Sequence, residues 1–147
     1  MTPIIDYQTN AQDLWRGLYT VSVMLADDEV PSRLVHLVEI RASKINGCLF
    51  CLTYHTQEAL KDGETPQRLA ALEQWRDSPL FSEPERRVLA WTEAMTLLDC
   101  GDADKLSLIT DLRRSFSDAA ISRLTFAIAV INAWNRVAGA FYLHGAP

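Results

Sequence analysis

The stretch NGCLFCLTYHTQEA, residues 46–59, carries the strongest structural signal in the chain, since it ends one predicted helix and begins the next. Asn46-Gly47 is typical of a helix end or a tight turn. A new helix is predicted to begin at about Cys48, and Cys51 and His55 follow it by three and seven positions. Residues at these spacings share one helix face, with neighbouring Cβ atoms roughly 5–6 Å apart. The spacing is therefore compatible with a disulfide.

The chain on either side of this stretch also predicts helices, about seven in all, and no strand. The 147 residues suit one domain with one core, so we expect a single all-α domain over residues 1–147. The best-marked start is Ser82, where a capping box with Glu85 precedes an apolar periodic run. The predicted helices cover about 11–27, 31–46, 48–62, 65–75, 82–98 and 103–114, followed by a long helix from Ser117 or Asp118.

Composition excludes several classes of function. The net charge of −5 gives no electrostatic reason to bind nucleic acid or an anionic membrane. The first ten residues contain an acid and no basic region before an apolar stretch, so we expect no secretion signal. The longest strongly apolar run, residues 126–131, is far shorter than the roughly 20 residues of a membrane span. These features favour a cytoplasmic protein.

The last predicted helix is apolar on most of its faces, from Ile121 to Trp134. A helix with this pattern is buried, either in the core or against another subunit. For a chain of this size, the pattern predicts a homo-oligomer.

The cysteines point to redox chemistry. The chain has three, and an odd number in a reducing compartment does not indicate a disulfide-stabilised secreted domain. Cys48 and Cys51 fall at a predicted helix start, where free N–H groups and the helix dipole favour a thiolate. His55 supplies a base near Cys51. We therefore expect Cys51 to attack a hydroperoxide and Cys48 to resolve the sulfenic acid as a disulfide, which an external dithiol protein then reduces.

Three other interpretations remain open. The C-x-x-C pair can be two reduced cysteines packed in the core. It can form a zinc site with His55 and with His36 as a fourth ligand, although structural zinc sites usually draw their ligands from two separated pairs. It can also be a redox sensor or disulfide oxidoreductase without peroxide turnover. We expect neither a cofactor nor a metal, and Cys100, beside acidic residues at a helix end, is predicted to be inert.

The stretch EIRASKINGCLFCLTYH, residues 39–55, resembles the core of AhpD-like alkylhydroperoxidases of the carboxymuconolactone decarboxylase family. Two later segments extend the resemblance: LFSEPERRVLAWTEAMTLL, residues 80–98, and LTFAIAVINAWNRVAGAF, residues 124–141. It implies antiparallel helices assembled as trimers or hexamers. It also implies a peroxidase in which Cys51 attacks, Cys48 resolves and His55 belongs to a proton relay.

The sequence departs from this family at two relay positions. Twelve residues before the first cysteine the family usually has a glutamate, and this chain has His36. Glu39 lies about one helical turn further on, so either Glu39 or His36 is expected to replace that glutamate. Founding members also carry a histidine between the cysteines, where this chain has Phe50. Both departures remove a polar relay group and predict a weak peroxidase.

Overall fold

A computed structural model describes residues 2–143 and confirms the all-α prediction. These residues contain eight α-helices, one 3₁₀ turn and no strand. The helices are α1 (Tyr7–Asn10), α2 (Gln12–Ser22), α3 (Ser32–Ile45), α4 (Leu49–Lys61), α5 (Pro66–Ala71), α6 (Glu83–Leu97), α7 (Asp102–Leu112) and α8 (Asp118–Phe141), with the 3₁₀ turn Leu72–Gln74 directly after α5.

Seven of these helices correspond to predicted ones, and two differences occur near the N-terminus. Helix α1 was not predicted, because four residues are too short to show a helical period. Helix α2 ends at Ser22 rather than near Asp27. The Asp27 carboxylate accepts a hydrogen bond from the backbone N–H of Val30 (2.8 Å). This side-chain turn competes with continuation of the helix.

Local capping signals fix where the other helices begin. Ser82 and Glu85 form the predicted capping box at the start of α6. The hydroxyl of Thr65 accepts from a backbone N–H of α5 (3.3 Å), and that of Ser117 accepts from one of α8 (3.1 Å). Each cap satisfies an N–H group that has no partner inside its helix, so the sequence sets these boundaries locally.

The core lies between α3, α6 and α8, and α3 packs against α4 as well. Its most deeply buried side chains are aliphatic and come from all three helices: Leu37, Val38, Ile40, Val88, Leu89, Leu124, Ile128 and Ile131. Helix α3 is therefore held on several sides. Because α4 packs directly on α3, side chains that these two helices turn towards each other have fixed positions.

Helix α8 is the one helix within residues 2–143 that is long and apolar enough to cross a membrane. A core helix of a soluble protein has the same length and composition, and nine residues of α8 are buried against the rest of the chain. The unbroken apolar run of the sequence, which ends before Asn132, is shorter than this apolar helix, so its length alone did not indicate a membrane-length segment. The helix continues through Asn132, whose side chain donates to the backbone oxygen of Ile128 (2.9 Å).

Candidate active site

Cys48 and Cys51 lie at the start of α4 and form a disulfide, with Cα atoms 5.4 Å apart. Cys48 occupies the capping position just before the first helical turn, and its sulfur accepts from the backbone N–H of Cys51 (3.3 Å). Both residues are buried, at 4% and 3% exposure. Only Cys51 lines the adjoining pocket. Cys51 is therefore the sulfur that a small molecule in the pocket can reach.

The turn that presents the disulfide is fixed to α8 by a set of amides. Gly47 has a φ of 67°, a backbone conformation that favours glycine. The side-chain amide of Asn46 donates to the side-chain oxygens of Asn135 (2.8 Å) and Asn132 (3.0 Å). Asn135 in turn donates to the hydroxyl of Ser43 (3.0 Å). These contacts hold the end of α3 and the start of α4 in one position relative to the core.

His55, Glu39, His36 and Asp62 form a continuous row of titratable side chains, which we call the charge row. His55 Nδ1 lies 3.0 Å from Glu39 Oε2. The same oxygen is 3.5 Å from His36 Nδ1, a charge contact rather than a hydrogen bond. His36 Nε2 and Asp62 Oδ2 form a hydrogen bond of 2.9 Å. The row runs from the pocket towards the surface, because Asp62 is half-exposed and the other three side chains are mostly covered.

The charge row also stabilises charged states of its members. Burial would raise the pKa of Glu39, but the neighbouring His36 and His55 outweigh it and hold this pKa below its usual 4.5. The carboxylate of Glu39, with help from Asp62, raises the pKa of His36 above 6.5 although burial opposes this. The hydrogen bond from His36 lowers the pKa of Asp62. Glu39 and Asp62 are therefore ionised at neutral pH.

The structure brings four of the five predicted site residues into one pocket of about 420 Å³. Cys51, His55, Glu39 and His36 all line it. Cys48 lies behind Cys51, so the three side chains predicted to share one accessible stripe do not all face solvent. Since Cys51 and His55 are four positions apart on α4 and both face the pocket, the imidazole can act on a substrate bound at the sulfur.

Sequence reasoning missed Asp62 and the aromatic walls of the pocket. Asp62 follows α4, and nothing in its local sequence indicates that it contacts a histidine on another helix. Phe50, noted as a departure from the family, lines the pocket and stacks on Tyr142 with ring centroids 3.7 Å apart.

Within residues 2–143, no three His, Cys, Asp or Glu side chains are arranged to hold a metal ion. The two sulfurs are bonded to each other rather than set out as ligands with His36.

An all-helical fold with a C-x-x-C disulfide at a helix start agrees with the AhpD-like resemblance of the sequence, and comparison with known proteins supports it. Residues 10–94, more than half of the chain, match the carboxymuconolactone decarboxylase family. The chain therefore belongs to that family, and the resemblance seen in the sequence is confirmed.

Individual relatives agree with this assignment. The uncharacterized protein YdfG of Bacillus subtilis is 35% identical over 101 residues, which cover 69% of this chain and 68% of YdfG. The crystal structure of ATU0492 from Agrobacterium tumefaciens, a protein of unknown function provisionally named an antioxidant defence protein AhpD, has a TM-score of 0.87. It is 32% identical, and the match covers 99% of this chain and all of ATU0492.

A third similar structure shows the fold alone. It is an uncharacterized peroxidase-related protein from Silicibacter, 24% identical with a TM-score of 0.69, and the match covers 87% of this chain and 66% of that one.

Proposed function

We propose that the protein is a thiol-dependent peroxidase that reduces hydrogen peroxide or organic hydroperoxides through the Cys48–Cys51 pair. The observation that carries this proposal is that Cys51, bonded to Cys48, faces the same pocket as His55, which contacts a buried carboxylate. A thiol, a resolving thiol and a held imidazole are the groups that two-cysteine peroxide reduction requires. Belonging to a family with AhpD-like members supports the same chemistry.

In the proposed cycle, His55 takes the proton of the Cys51 thiol, and the thiolate attacks the outer oxygen of the hydroperoxide. The O–O bond breaks, Cys51 becomes a sulfenic acid, and the leaving alkoxide receives the proton from His55. The Cys48 thiol then displaces water from the sulfenic acid and forms the disulfide. An external dithiol protein supplies two electrons and two protons, restoring both thiols. Glu39 holds His55, and His36 contacts Glu39 from the other side.

The test of this proposal is steady-state peroxide consumption with dithiothreitol as the reductant. Cys51→Ser should abolish turnover, since it removes the attacking sulfur. When peroxide is added without dithiothreitol, Cys48→Ser should hold about one sulfenic acid per chain, trapped by a dimedone-type probe. Cys100→Ser is the matched control, because Cys100 is a free cysteine outside the pocket. Full activity in Cys51→Ser would show that another group reacts with the peroxide.

The second candidate is a redox sensor or disulfide oxidoreductase without useful peroxide turnover. The deep burial of both cysteines favours this alternative, because a slowly exchanging disulfide suits a sensor. The same assay separates the two functions, since a sensor consumes at most one peroxide per chain before it stops. A disulfide oxidoreductase reacts with protein disulfides and leaves the hydroperoxide untouched.

We also propose that the protein works in the cytoplasm as a homo-oligomer, a trimer or a hexamer, and binds neither nucleic acid nor membranes. Several large apolar side chains are more than half exposed on the single chain and are available for subunit contacts: Val23, Met24, Leu97, Leu98, Leu106 and Phe126. Light scattering on the purified protein measures the number of chains. A monomer at micromolar concentration would contradict the proposal.

A further inference from the structure

The pocket beside Cys51 is much larger than hydrogen peroxide requires. Its volume is about 420 Å³, whereas a molecule the size of water occupies roughly 30 Å³ in the liquid. Pockets that bind organic molecules usually have about 300–1,000 Å³. The space in front of the reactive sulfur therefore accommodates a substrate with an organic group of several carbon atoms.

Aromatic rings form a large apolar part of the wall of this pocket. Six of its lining residues are Tyr, Trp or Phe: Tyr7, Trp15, Tyr19, Phe50, Tyr54 and Trp134. Aromatic walls offer large apolar area and favour a ring packed against them by stacking or edge contacts. A small hydrophilic peroxide makes little use of such a surface.

Helix α2 supplies the side of the pocket with Trp15 and Tyr19, whose rings stack with centroids 5.3 Å apart. None of the residues of α2 is fully buried: Trp15 packs partly against the core, and Tyr19 is 49% exposed. The hydroxyl of Ser22, also on α2, accepts a hydrogen bond from the indole N–H of Trp134 (2.8 Å), which ties the helix to α8. Trp15 and Tyr19 thus present to the pocket the apolar surface that the core leaves uncovered.

The charges around the pocket disfavour an anionic substrate. Its lining includes the carboxylates of Glu39 and Glu58, and among residues 2–143 no lysine or arginine lines it. Protonated His36 is already matched by Glu39 and Asp62. A carboxylate on the substrate would therefore find no free cationic partner at a partly desolvated site, since Glu39 and Glu58 already occupy the nearby cations.

We propose that this peroxidase site is specific for neutral hydroperoxides that carry an aromatic or other bulky apolar group. This inference rests on the proposed function. The apolar group lies against Trp15 and Tyr19 while the O–O group reaches Cys51. The reaction converts the hydroperoxide and two thiols into the alcohol, water and the Cys48–Cys51 disulfide, so no further reactant is needed.

The experiment compares kcat/KM for three probes with dithiothreitol as reductant: cumene hydroperoxide, hydrogen peroxide and linoleic acid hydroperoxide, which carries a carboxylate. We expect cumene hydroperoxide to be preferred at least tenfold over each of the others. Trp15→Ala should lower the ratio of kcat/KM for cumene hydroperoxide to that for hydrogen peroxide about tenfold. Trp15→Phe, which keeps a ring, should restore most of the ratio.

Leu14→Ala is the matched control, because Leu14 neighbours Trp15 on α2 but is 73% exposed and does not line the pocket. It should leave the ratio unchanged. Equal kcat/KM for all three probes, or an unchanged ratio in Trp15→Ala, would overturn the specificity while leaving the peroxidase proposal intact.

Binding of the product, cumyl alcohol, gives a readout that does not depend on turnover. Saturable quenching of tryptophan fluorescence by cumyl alcohol, weakened in Trp15→Ala and retained in Leu14→Ala, supports the specificity of the pocket. If no hydroperoxide is turned over and cumyl alcohol binds, the proposed function fails but the apolar binding site stands. If cumyl alcohol does not bind, the inference is wrong.

Discussion

Replacing Glu39 with glutamine removes the negative charge between His36 and His55 and keeps the size of the side chain. The carboxylate oxygen lies 3.0 Å from His55 Nδ1 and 3.5 Å from His36 Nδ1. A positioned acid–base group contributes about 10²–10⁴ to the rate, and an amide cannot stabilise the protonated imidazole as a carboxylate does. We expect kcat/KM for cumene hydroperoxide to fall about 100-fold, which corresponds to about 2.7 kcal/mol of transition-state stabilisation.

The same substitution should change stability in a pH-dependent way. Because the pKa of Glu39 is lowered, its ionised form stabilises the folded protein at pH values above the usual pKa of 4.5. This stabilisation is lost as the pH falls through the folded-state pKa. Because the pKa of His36 is raised, its protonated form stabilises the folded protein at pH values below the usual pKa of 6.5. This stabilisation is lost as the pH rises through the folded-state pKa. Both contributions are present between pH 4.5 and 6.5. Glu39→Gln should therefore lower the free energy of unfolding most in that window, by about 1–3 kcal/mol.

Two measurements check this prediction: peroxide turnover with dithiothreitol, and urea unfolding at a series of pH values. The matched control is Glu58→Gln, which also removes a negative charge from the pocket but whose carboxylate pairs with Lys61 (2.6 Å). It should keep turnover within a few-fold of the original protein. If Glu39→Gln and Glu58→Gln have the same small effect, the charge row does not assist the thiol chemistry.

Three further substitutions test other parts of the structure. Asp62→Asn should lower the pKa of His36, measured by NMR titration of the imidazole, because it removes a hydrogen-bonded carboxylate at 2.9 Å; an unchanged midpoint would contradict the contact. Asn135→Ala should lower the free energy of unfolding by about 1–3 kcal/mol in urea, since it removes the donor to the buried Ser43 hydroxyl on α3 and one acceptor of Asn46. Leu98→Gly should raise the melting temperature slightly, because Leu98 has a φ of 55°, whereas Leu97→Gly, inside α6, should lower it.

The helix boundaries and the cysteine pair were predictable because their signals are local. A capping hydroxyl such as that of Ser82 acts within one turn, so its spacing to Glu85 can be read directly from the sequence. The spacing of Cys48 and Cys51 likewise fixes how close the two side chains lie on one helix start. None of these features requires knowledge of which helices pack together.

The walls of the pocket were not predictable, because they depend on packing between distant segments. The amphipathic pattern of α2 predicts a face buried in the core, yet Trp15 and Leu18 are only partly covered by it, and the rings of Trp15 and Tyr19 line a cavity. Asp62 contacts His36 across 26 residues of sequence. Periodicity tells which side chains share a face of one helix, but not which helix that face meets.

His36 and Glu39 both belong to the charge row, and Glu39 is the one in contact with His55. The order of the row matters for the proposed cycle. When His55 gives up its proton, a buried Glu39 with no other partner would be left as an uncompensated charge, which is costly. Here Glu39 still faces His36, whose protonated form Asp62 also stabilises. In the proposed cycle, the histidine at position 36 therefore leaves the Glu39 carboxylate against His55 and adds a second cation that compensates Glu39 while His55 exchanges its proton with Cys51.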